Sequence, residues 1–132
     1  MEGGKHVILC VDDDPDILAS LRVVLESEGY LVVTARSAAE GLSACATSRP
    51  DLLIVDVMME EVDSGITFAR ALRQAGHAAP LFFLSSSGDY LFGAVDVGEL
   101  GAGGVFQKPI EPAMLLSVIG KALGAVAVRT QG

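Results

Sequence analysis

The sequence predicts an α/β domain, built as a parallel β-sheet with helices on both faces. Short apolar runs alternate with helical patterns five times along the chain, which is typical of parallel strands joined by crossover helices. The runs are continuously apolar, as expected for strands buried on both faces. The chain has 132 residues, of which 51% are hydrophobic and 20% charged. This length and composition suit one globular domain with one sizeable core.

The first strand and the first helix are predicted at the start of the chain. The run "HVILCV", residues 6–11, is a buried strand, and "DDDPD" follows it. Within that stretch Asp14 suits the N-cap and Pro15 the first helical position. Asp16 lies in the first turn, where the helix dipole favours a negative charge. Apolar residues then recur at helical spacing until Gly29, a residue type that favours helix ends.

The second strand, the second helix and the third strand come next. Residues 30–35, "YLVVTA", predict a strand, and residues 37–48 predict a short helix. Ser37 is the N-cap of that helix, and Glu40 completes a capping box. Residues 51–56, "DLLIVD", predict a third buried strand.

The third helix, the fourth strand and a weak fourth helix follow. The third helix is predicted over residues 63–76, with Ser64 as a candidate N-cap, and the fourth strand over 80–85. A fourth helix is expected over residues 88–102, although glycine disfavours helix at several positions there. Those glycines are Gly88, Gly93, Gly98 and Gly101.

A fifth strand and a last helix complete the pattern. The strand is "GVFQ", residues 104–107, and Pro112 opens the helix. We expect one stand-alone domain over residues 5–127 without an output domain. Residues 1–4 and 128–132 are expected to be disordered termini.

Composition excludes several functional classes. Nine Lys and Arg residues against 17 Asp and Glu give a net charge of −8, which disfavours direct contact with nucleic acid. Cys10 and Cys45 lack disulfide-scaffold or metal-ligand spacing, so we expect two buried free thiols.

The longest apolar stretch, residues 113–128, is too short to span a bilayer, and Lys121 interrupts it. The N-terminus lacks a signal-peptide core, so a cytoplasmic location is expected.

Polar residues are placed where the predicted strands end. The first strand leads into Asp12 and Asp13, the third ends in Asp56, the fourth in Ser85, and the fifth leads into Lys108. The carboxyl ends of parallel strands meet at one edge of the sheet, where such folds bind ligands. The sequence therefore predicts that three carboxylates, a hydroxyl and an ammonium converge there.

This set of groups favours a metal-assisted reaction of a phosphoryl group. Three neighbouring carboxylates need a compensating cation, and Mg²⁺ prefers such oxygen ligands. Lys108 and Ser85 suit an anion on the other side. Asp56, between the metal and the lysine, is placed to be a nucleophile that becomes an aspartyl phosphate.

Four segments resemble the receiver domains of two-component response regulators, of the CheY-like type, over nearly the whole chain. They are "ILCVDDDPDIL" (8–18), "PDLLIVDVMM" (50–59), "PLFFLSS" (80–86) and "GAGGVFQKPIEP" (101–112). The resemblance implies a doubly wound, flavodoxin-like sheet with strand order 2-1-3-4-5. It also implies a phosphoacceptor that assists its own phosphorylation and dephosphorylation, and not an enzyme acting on a separate substrate.

The resemblance assigns the metal and the acceptor. Asp56 would be the phosphoacceptor. Asp13, Asp56 and the backbone carbonyl of Met58 would bind Mg²⁺ directly, and Asp12 would act through a metal-bound water.

The resemblance also assigns the remaining site residues and the partners. Ser85 would sense the phosphoryl group, and Lys108 would pair with a phosphoryl oxygen, with a cis bond to Pro109. A histidine kinase or phosphotransfer protein would be the donor, and an unidentified protein would be the downstream target. The predicted fourth helix, fifth strand and last helix could form a homodimer face, through residues such as Leu91, Phe92, Val105 and Met114, or these residues could belong to the core.

The sequence departs from the family pattern near the site. Glu60 replaces a proline, one extra residue precedes Gly65, and Ser86 replaces a common alanine. Val105 stands where an aromatic residue usually reports phosphorylation. Phe106 follows it and should face the other side of the strand.

Other functions are weighed against this one. A degenerate receiver that binds proteins without phosphorylation remains the main alternative. A phosphohydrolase would need a carboxylate two residues after Asp56, where Met58 stands. A nucleotide or flavin domain would need a Gly-rich or hydroxyl-rich loop after the first strand. A calcium loop fails because Ile17 and Val23 occupy its required Gly and Glu positions.

Overall fold

All five predicted strands are present, and each starts within two residues of its predicted start. The computed structural model describes residues 3–57, 59, 64–86 and 102–131. The strands are β1 (Val7–Val11), β2 (Leu31–Ala35), β3 (Leu52–Asp56), β4 (Leu81–Ser85) and β5 (Ala102–Gln107). The helices are α1 (Pro15–Ser27), α2 (Ala38–Ser48), α3 (Ser64–Gln74) and α4 (Pro112–Gln131).

The strands form one parallel sheet in the order β2-β1-β3-β4-β5, which confirms the predicted fold class and strand order. The order reverses at β1, which lies between β2 and β3, so the sheet is doubly wound. The helix predicted over residues 88–102 lies outside the described residues, except that Ala102 begins β5. None of the described helices is long and apolar enough to cross a membrane.

Alternate residues of each strand pack on opposite faces of the sheet. In β1, Leu9 and Val11 pack in the core under α2 and α3, whereas Ile8 and Cys10 pack in the core under α1 and α4. All five residues of β1, β3 and β4 are buried. Full burial of one such Leu or Ile side chain contributes roughly 1.5–3 kcal/mol. This burial holds the central strands in place between the two cores. Because the predicted site residues stand at the ends of these strands, the same packing determines their positions.

Both cysteines are buried free thiols, which confirms their predicted state. Burial raises the pKa of Cys10 to about 12 and that of Cys45 to about 11. Because the thiolate is the reactive form of cysteine, neither side chain is suited to chemistry at neutral pH. They act as small apolar residues of the two cores.

The alternation of side chains in β5 decides where its apolar residues face. Phe106 is 7% exposed and lies 5.4 Å from Phe82, measured between ring centroids. Val105 faces the opposite side and is 39% exposed. The prediction that Phe106 turns away from the position of the usual aromatic residue is therefore confirmed. The sheet register shifts beside Gly103, where a Cβ atom would lie 2.8 Å from the Phe82 ring.

The start of α1 is capped by Asp14, as predicted. Its side chain accepts a hydrogen bond from the Asp16 backbone N–H at 2.9 Å, and Pro15 opens the helix. This bond satisfies one of the backbone donors that the first turn leaves without a helical partner.

We expect Asp14→Ala to lower the free energy of unfolding by about 1 kcal/mol, because the cap is lost. Urea denaturation checks this. Asp14→Asn is the matched control, since asparagine caps helices as well as aspartate does. An equal loss in both variants would mean that the charge of Asp14 matters and its hydrogen bond does not.

Candidate functional site

Four strands bring their carboxyl ends to one edge of the sheet, as the sequence predicts. β1 leads into Asp12 and Asp13, β3 ends in Asp56, and β4 ends in Ser85. β5 leads into Lys108, whose backbone N–H donates to the Ser85 carbonyl at 2.9 Å. Residues that are far apart in the sequence therefore lie together at the edge where such sheets bind ligands.

The three aspartates form a cluster with the geometry of a cation site. One carboxylate oxygen from each of Asp12, Asp13 and Asp56 lies within 4.8 Å of the others. Asp12 is fully buried and Asp56 is 4% exposed, while Asp13 is open to solvent. Like charges held this closely need compensation. The oxygen ligands and the open side fit a hard divalent cation such as Mg²⁺, which keeps part of its water shell.

Lys108 already compensates two of these charges. Its ammonium lies 3.0 Å from Oδ2 of Asp12 and 3.3 Å from Oδ2 of Asp56. Burial acts to lower the pKa of Lys108, but the hydrogen bonds and charges of the two aspartates outweigh it and raise the pKa above its ordinary value. The lysine is therefore a fixed positive charge at neutral pH, held against the buried side of the cluster.

The buried carboxylate of Asp12 is also oriented by the backbone. Its Oδ1 atom accepts a hydrogen bond from the Asp14 N–H at 2.9 Å. The turn that caps α1 thus also orients Asp12, with one oxygen toward the main chain and the other toward Lys108. The sequence predicts separate roles for Asp12 and Asp14, and it does not indicate the hydrogen bond between the Asp14 main chain and Asp12.

Ser85 lies beside the end of β3. It follows Leu84, which pairs in register with Asp56, and its side chain is buried. Its hydroxyl donates to the Ser86 carbonyl at 3.2 Å. The predicted sensing role of Ser85 stays a prediction, while its place at the site is as expected.

Three other predictions have different outcomes. The cis bond between Lys108 and Pro109 is confirmed. Met58, whose carbonyl is a predicted metal ligand, lies outside the described residues, as does Glu60. The water-mediated role of Asp12 also stays a prediction.

The structure adds one residue that sequence reasoning did not assign to the site. At Gly65, in the first turn of α3, a Cβ atom would lie 2.0 Å from the backbone oxygen of Asp56. The Gly65 N–H donates to the Val57 carbonyl at 2.9 Å. The signal in the sequence is weak, because glycine is common near the start of a helix and the sequence does not show that another chain segment comes close there.

Part of the predicted homodimer face is described. Val105 on β5 and Met114 on α4 are exposed, at 39% and 59%. Leu91 and Phe92 lie outside the described residues. Dimerisation through this face stays a prediction.

The fold and the site define a doubly wound α/β domain that can hold a cation and an anion side by side at its carboxyl edge. The chain belongs to the response regulator receiver domain family, whose model matches residues 8–120.

Curated relatives agree with this assignment. The chain is 39% identical over 105 residues to the alkaline phosphatase synthesis transcriptional regulatory protein PhoP of Bacillus subtilis strain 168, covering 80% of this chain and 43% of that protein. It is 37% identical over 123 residues to the transcriptional regulatory protein GlrR of Escherichia coli strain K12, covering 93% of this chain and 27% of that protein. The chain thus spans less than half the length of either relative.

Solved structures agree as well. A response regulator receiver domain protein from Clostridium thermocellum is 28% identical with a TM-score of 0.82, over 93% of this chain and 98% of that one. A response regulator from Chloroflexus aurantiacus, described as putative, is 33% identical with a TM-score of 0.80, over 91% and 98% of the two chains. A CheY-like receiver domain protein from Methanospirillum hungatei is 25% identical with a TM-score of 0.84, over 98% and 100%.

Proposed function

We propose that this chain accepts a phosphoryl group on Asp56 in a Mg²⁺-dependent reaction, as one step of a histidine-kinase phosphorelay in the cytoplasm. The observation that carries the proposal is the surroundings of Asp56. Its carboxylate lies 3.3 Å from the Lys108 ammonium and close to the carboxylates of Asp12 and Asp13. A nucleophile between a cation site and a fixed positive charge is suited to attack on phosphorus.

Each residue has a role in the proposed transfer. An oxygen of Asp56 forms the new bond to phosphorus while the phosphorus–nitrogen bond of a phosphohistidine donor breaks. Lys108 stabilises negative charge on the phosphoryl oxygens, and the Ser85 hydroxyl is placed to donate a hydrogen bond to one of them. Asp13 and Asp56 would bind Mg²⁺ directly and Asp12 would bind it through a water molecule, and the ion would supply charge neutralisation. In this proposal the chain also assists its own phosphorylation and dephosphorylation and acts on no separate substrate.

The proposed partners follow from the family. Receiver domains interact with histidine kinases or phosphotransfer proteins, and we propose one of these as the donor for this chain. Phosphorylation of Asp56 would then alter the binding of this chain to a downstream protein target. The net charge of −8 favours a protein as the direct partner over nucleic acid.

Intact-mass measurement after treatment with a small acyl phosphate tests the proposal. With Mg²⁺ the wild-type chain should gain one phosphoryl group, and a chelator should prevent the gain. Asp56→Asn should gain none. Asp16→Asn is the matched control, because it removes the same charge from the first turn of α1, and it should gain one group.

The outcomes separate the proposal from its main alternative. A folded wild-type chain that gains no phosphoryl group would support the degenerate receiver, which binds partners without phosphorylation. A gain by Asp56→Asn equal to that of the wild type would place the acceptor on another residue.

A further inference from the structure

We propose that Gly65 is a positioning residue for Asp56, and this inference rests on the phosphoacceptor function proposed above. The first turn of α3 lies directly against the main chain at the end of β3. A Cβ atom on residue 65 would lie 2.0 Å from the Asp56 carbonyl oxygen and 2.8 Å from both the Asp56 carbonyl carbon and the Val57 Cα. Three backbone atoms therefore occupy the space that any side chain at this position would need.

This approach is held by backbone hydrogen bonds on both sides of the contact. The Gly65 N–H donates to the Val57 carbonyl at 2.9 Å, and the Val57 N–H donates to the Leu84 carbonyl at 3.0 Å. The residue that follows Asp56 is thus fixed between α3 and β4. Because backbone atoms cannot rotate away as a side chain can, a Cβ atom at residue 65 has to move a whole segment.

The packing of α3 indicates which segment moves. The helix buries Ile66, Phe68, Ala69 and Leu72 in the core, each 2% exposed or less. Retreat of the helix would open a cavity along this face, which close-packed cores resist. Beyond the last residue of β3, the restraints are one buried side chain, Val57, and its backbone hydrogen bonds to Leu84 and Gly65, so fewer buried side chains resist movement there than along α3. We therefore infer that Asp56 is displaced when residue 65 carries a side chain.

The size of the displacement sets the expected effect. Real Cβ atoms essentially never lie closer than 3.0 Å to such neighbours, so a separation of 2.0 Å requires a shift of about 1 Å. Asp56 works within tight limits, at 3.3 Å from Lys108 and within 4.8 Å of its partner carboxylates. A misplacement of about 1 Å can lower a reaction rate by about 100-fold.

Gly41 offers a matched control. A Cβ atom there would lie 2.7 Å from Cε1 of Phe68 and 3.3 Å from a Val11 methyl carbon. Both neighbours are side chains of the core, and Phe68 belongs to α3 itself. Gly41→Ala therefore strains the packing of the same helix without touching the main chain of Asp56.

The experiment compares Gly65→Ala, Gly41→Ala and the wild-type chain by three measurements. These are Mn²⁺ affinity by electron paramagnetic resonance, the rate of phosphoryl gain from a small acyl phosphate, and the melting temperature. We expect Gly65→Ala to bind Mn²⁺ at least about 10-fold more weakly and to react about 100-fold more slowly. Gly41→Ala should keep both values although its melting temperature falls.

Each outcome decides the proposal. If Gly65→Ala keeps the wild-type Mn²⁺ affinity and rate, or if both variants lose them in proportion to their stability, then α3 yields and Gly65 does not position Asp56. If the wild-type chain gains no phosphoryl group, the phosphoacceptor function fails, while the Mn²⁺ comparison still tests the positioning of Asp56. Should Gly65→Ala be unfolded in buffer, the measurements are repeated in sucrose, which favours the folded state. A chain unfolded there as well would overturn the proposal, because Gly65 would then be required for folding itself.

Discussion

Lys108→Met should lower the free energy of unfolding by about 3 kcal/mol at pH 7 in the absence of divalent cations. The Lys108 ammonium lies 3.0 Å from Asp12, which is fully buried, and 3.3 Å from Asp56, which is almost fully buried. Methionine keeps most of the side-chain volume but leaves both carboxylates without this cation. Breaking a buried ion pair typically costs 3–5 kcal/mol, and the 18% exposure of Lys108 favours the lower end.

Urea denaturation in the presence of a chelator measures this loss. Lys121→Met is the matched control, because Lys121 is exposed on α4, and it should change stability by less than about 0.5 kcal/mol. Added Mg²⁺ should recover more stability in Lys108→Met than in the wild-type chain, since the ion then supplies the missing positive charge. Equal losses in the two lysine variants would show that the ion pairs of Lys108 contribute little net stability.

The same ion pairs have a pH signature. The pKa of Lys108 is raised on folding from its ordinary value of 10.5. A cationic group of this kind contributes its full stability below the unfolded pKa and loses it as the pH rises through the folded pKa. The stability difference between wild type and Lys108→Met should therefore stay constant from pH 7 to about 10 and shrink at higher pH. Ionisation of Cys10 and Cys45 cancels in this comparison, because both chains contain them.

The placement of the site residues could be predicted because it follows from one-dimensional patterns. Continuous apolar runs predict where β1, β3 and β4 end, and a parallel sheet brings those ends to one edge. The predicted positions of Asp12, Asp56 and Ser85 at that edge are therefore confirmed. The opposite orientations of Val105 and Phe106 follow in the same way from the two-residue repeat of a strand.

The contacts within the site could not be predicted, because they depend on distances between elements. No pattern indicates that Lys108 reaches Asp12 as closely as it reaches Asp56, or that the Asp14 N–H holds the other oxygen of Asp12. The approach of Gly65 to Asp56 is of the same kind, since it depends on how α3 packs on the sheet. The sequence predicts which residues lie at one edge of the sheet, whereas the packing of helices and strands determines which of their atoms are in contact.

A second large effect is expected on Mg²⁺ binding, and two of the four aspartates in residues 11–16 allow it to be tested. Replacing either Asp13 or Asp16 by asparagine removes one negative charge, so the two variants have the same net charge. Asp13→Asn should weaken Mg²⁺ binding at least about 10-fold. Loss of a residue that only hydrogen-bonds to a metal ligand already lowers metal affinity by roughly 10- to 100-fold, and Asp13 is proposed to bind the metal directly. Asp16→Asn removes the same charge three residues away but leaves the cluster of Asp12, Asp13 and Asp56 complete. It should keep the wild-type affinity, as measured by isothermal titration calorimetry or by the melting temperature at increasing Mg²⁺.

The comparison separates coordination from long-range attraction. Asp13 and Asp16 are both exposed and stand three positions apart in the sequence, so the charge of either one can attract a cation through solvent. If attraction alone held the ion, the two variants would lose affinity equally, and the loss would disappear at high ionic strength. Coordination by Asp13 predicts a loss in one variant that persists at high salt, because a ligand oxygen in contact with the metal is screened far less than a distant charge.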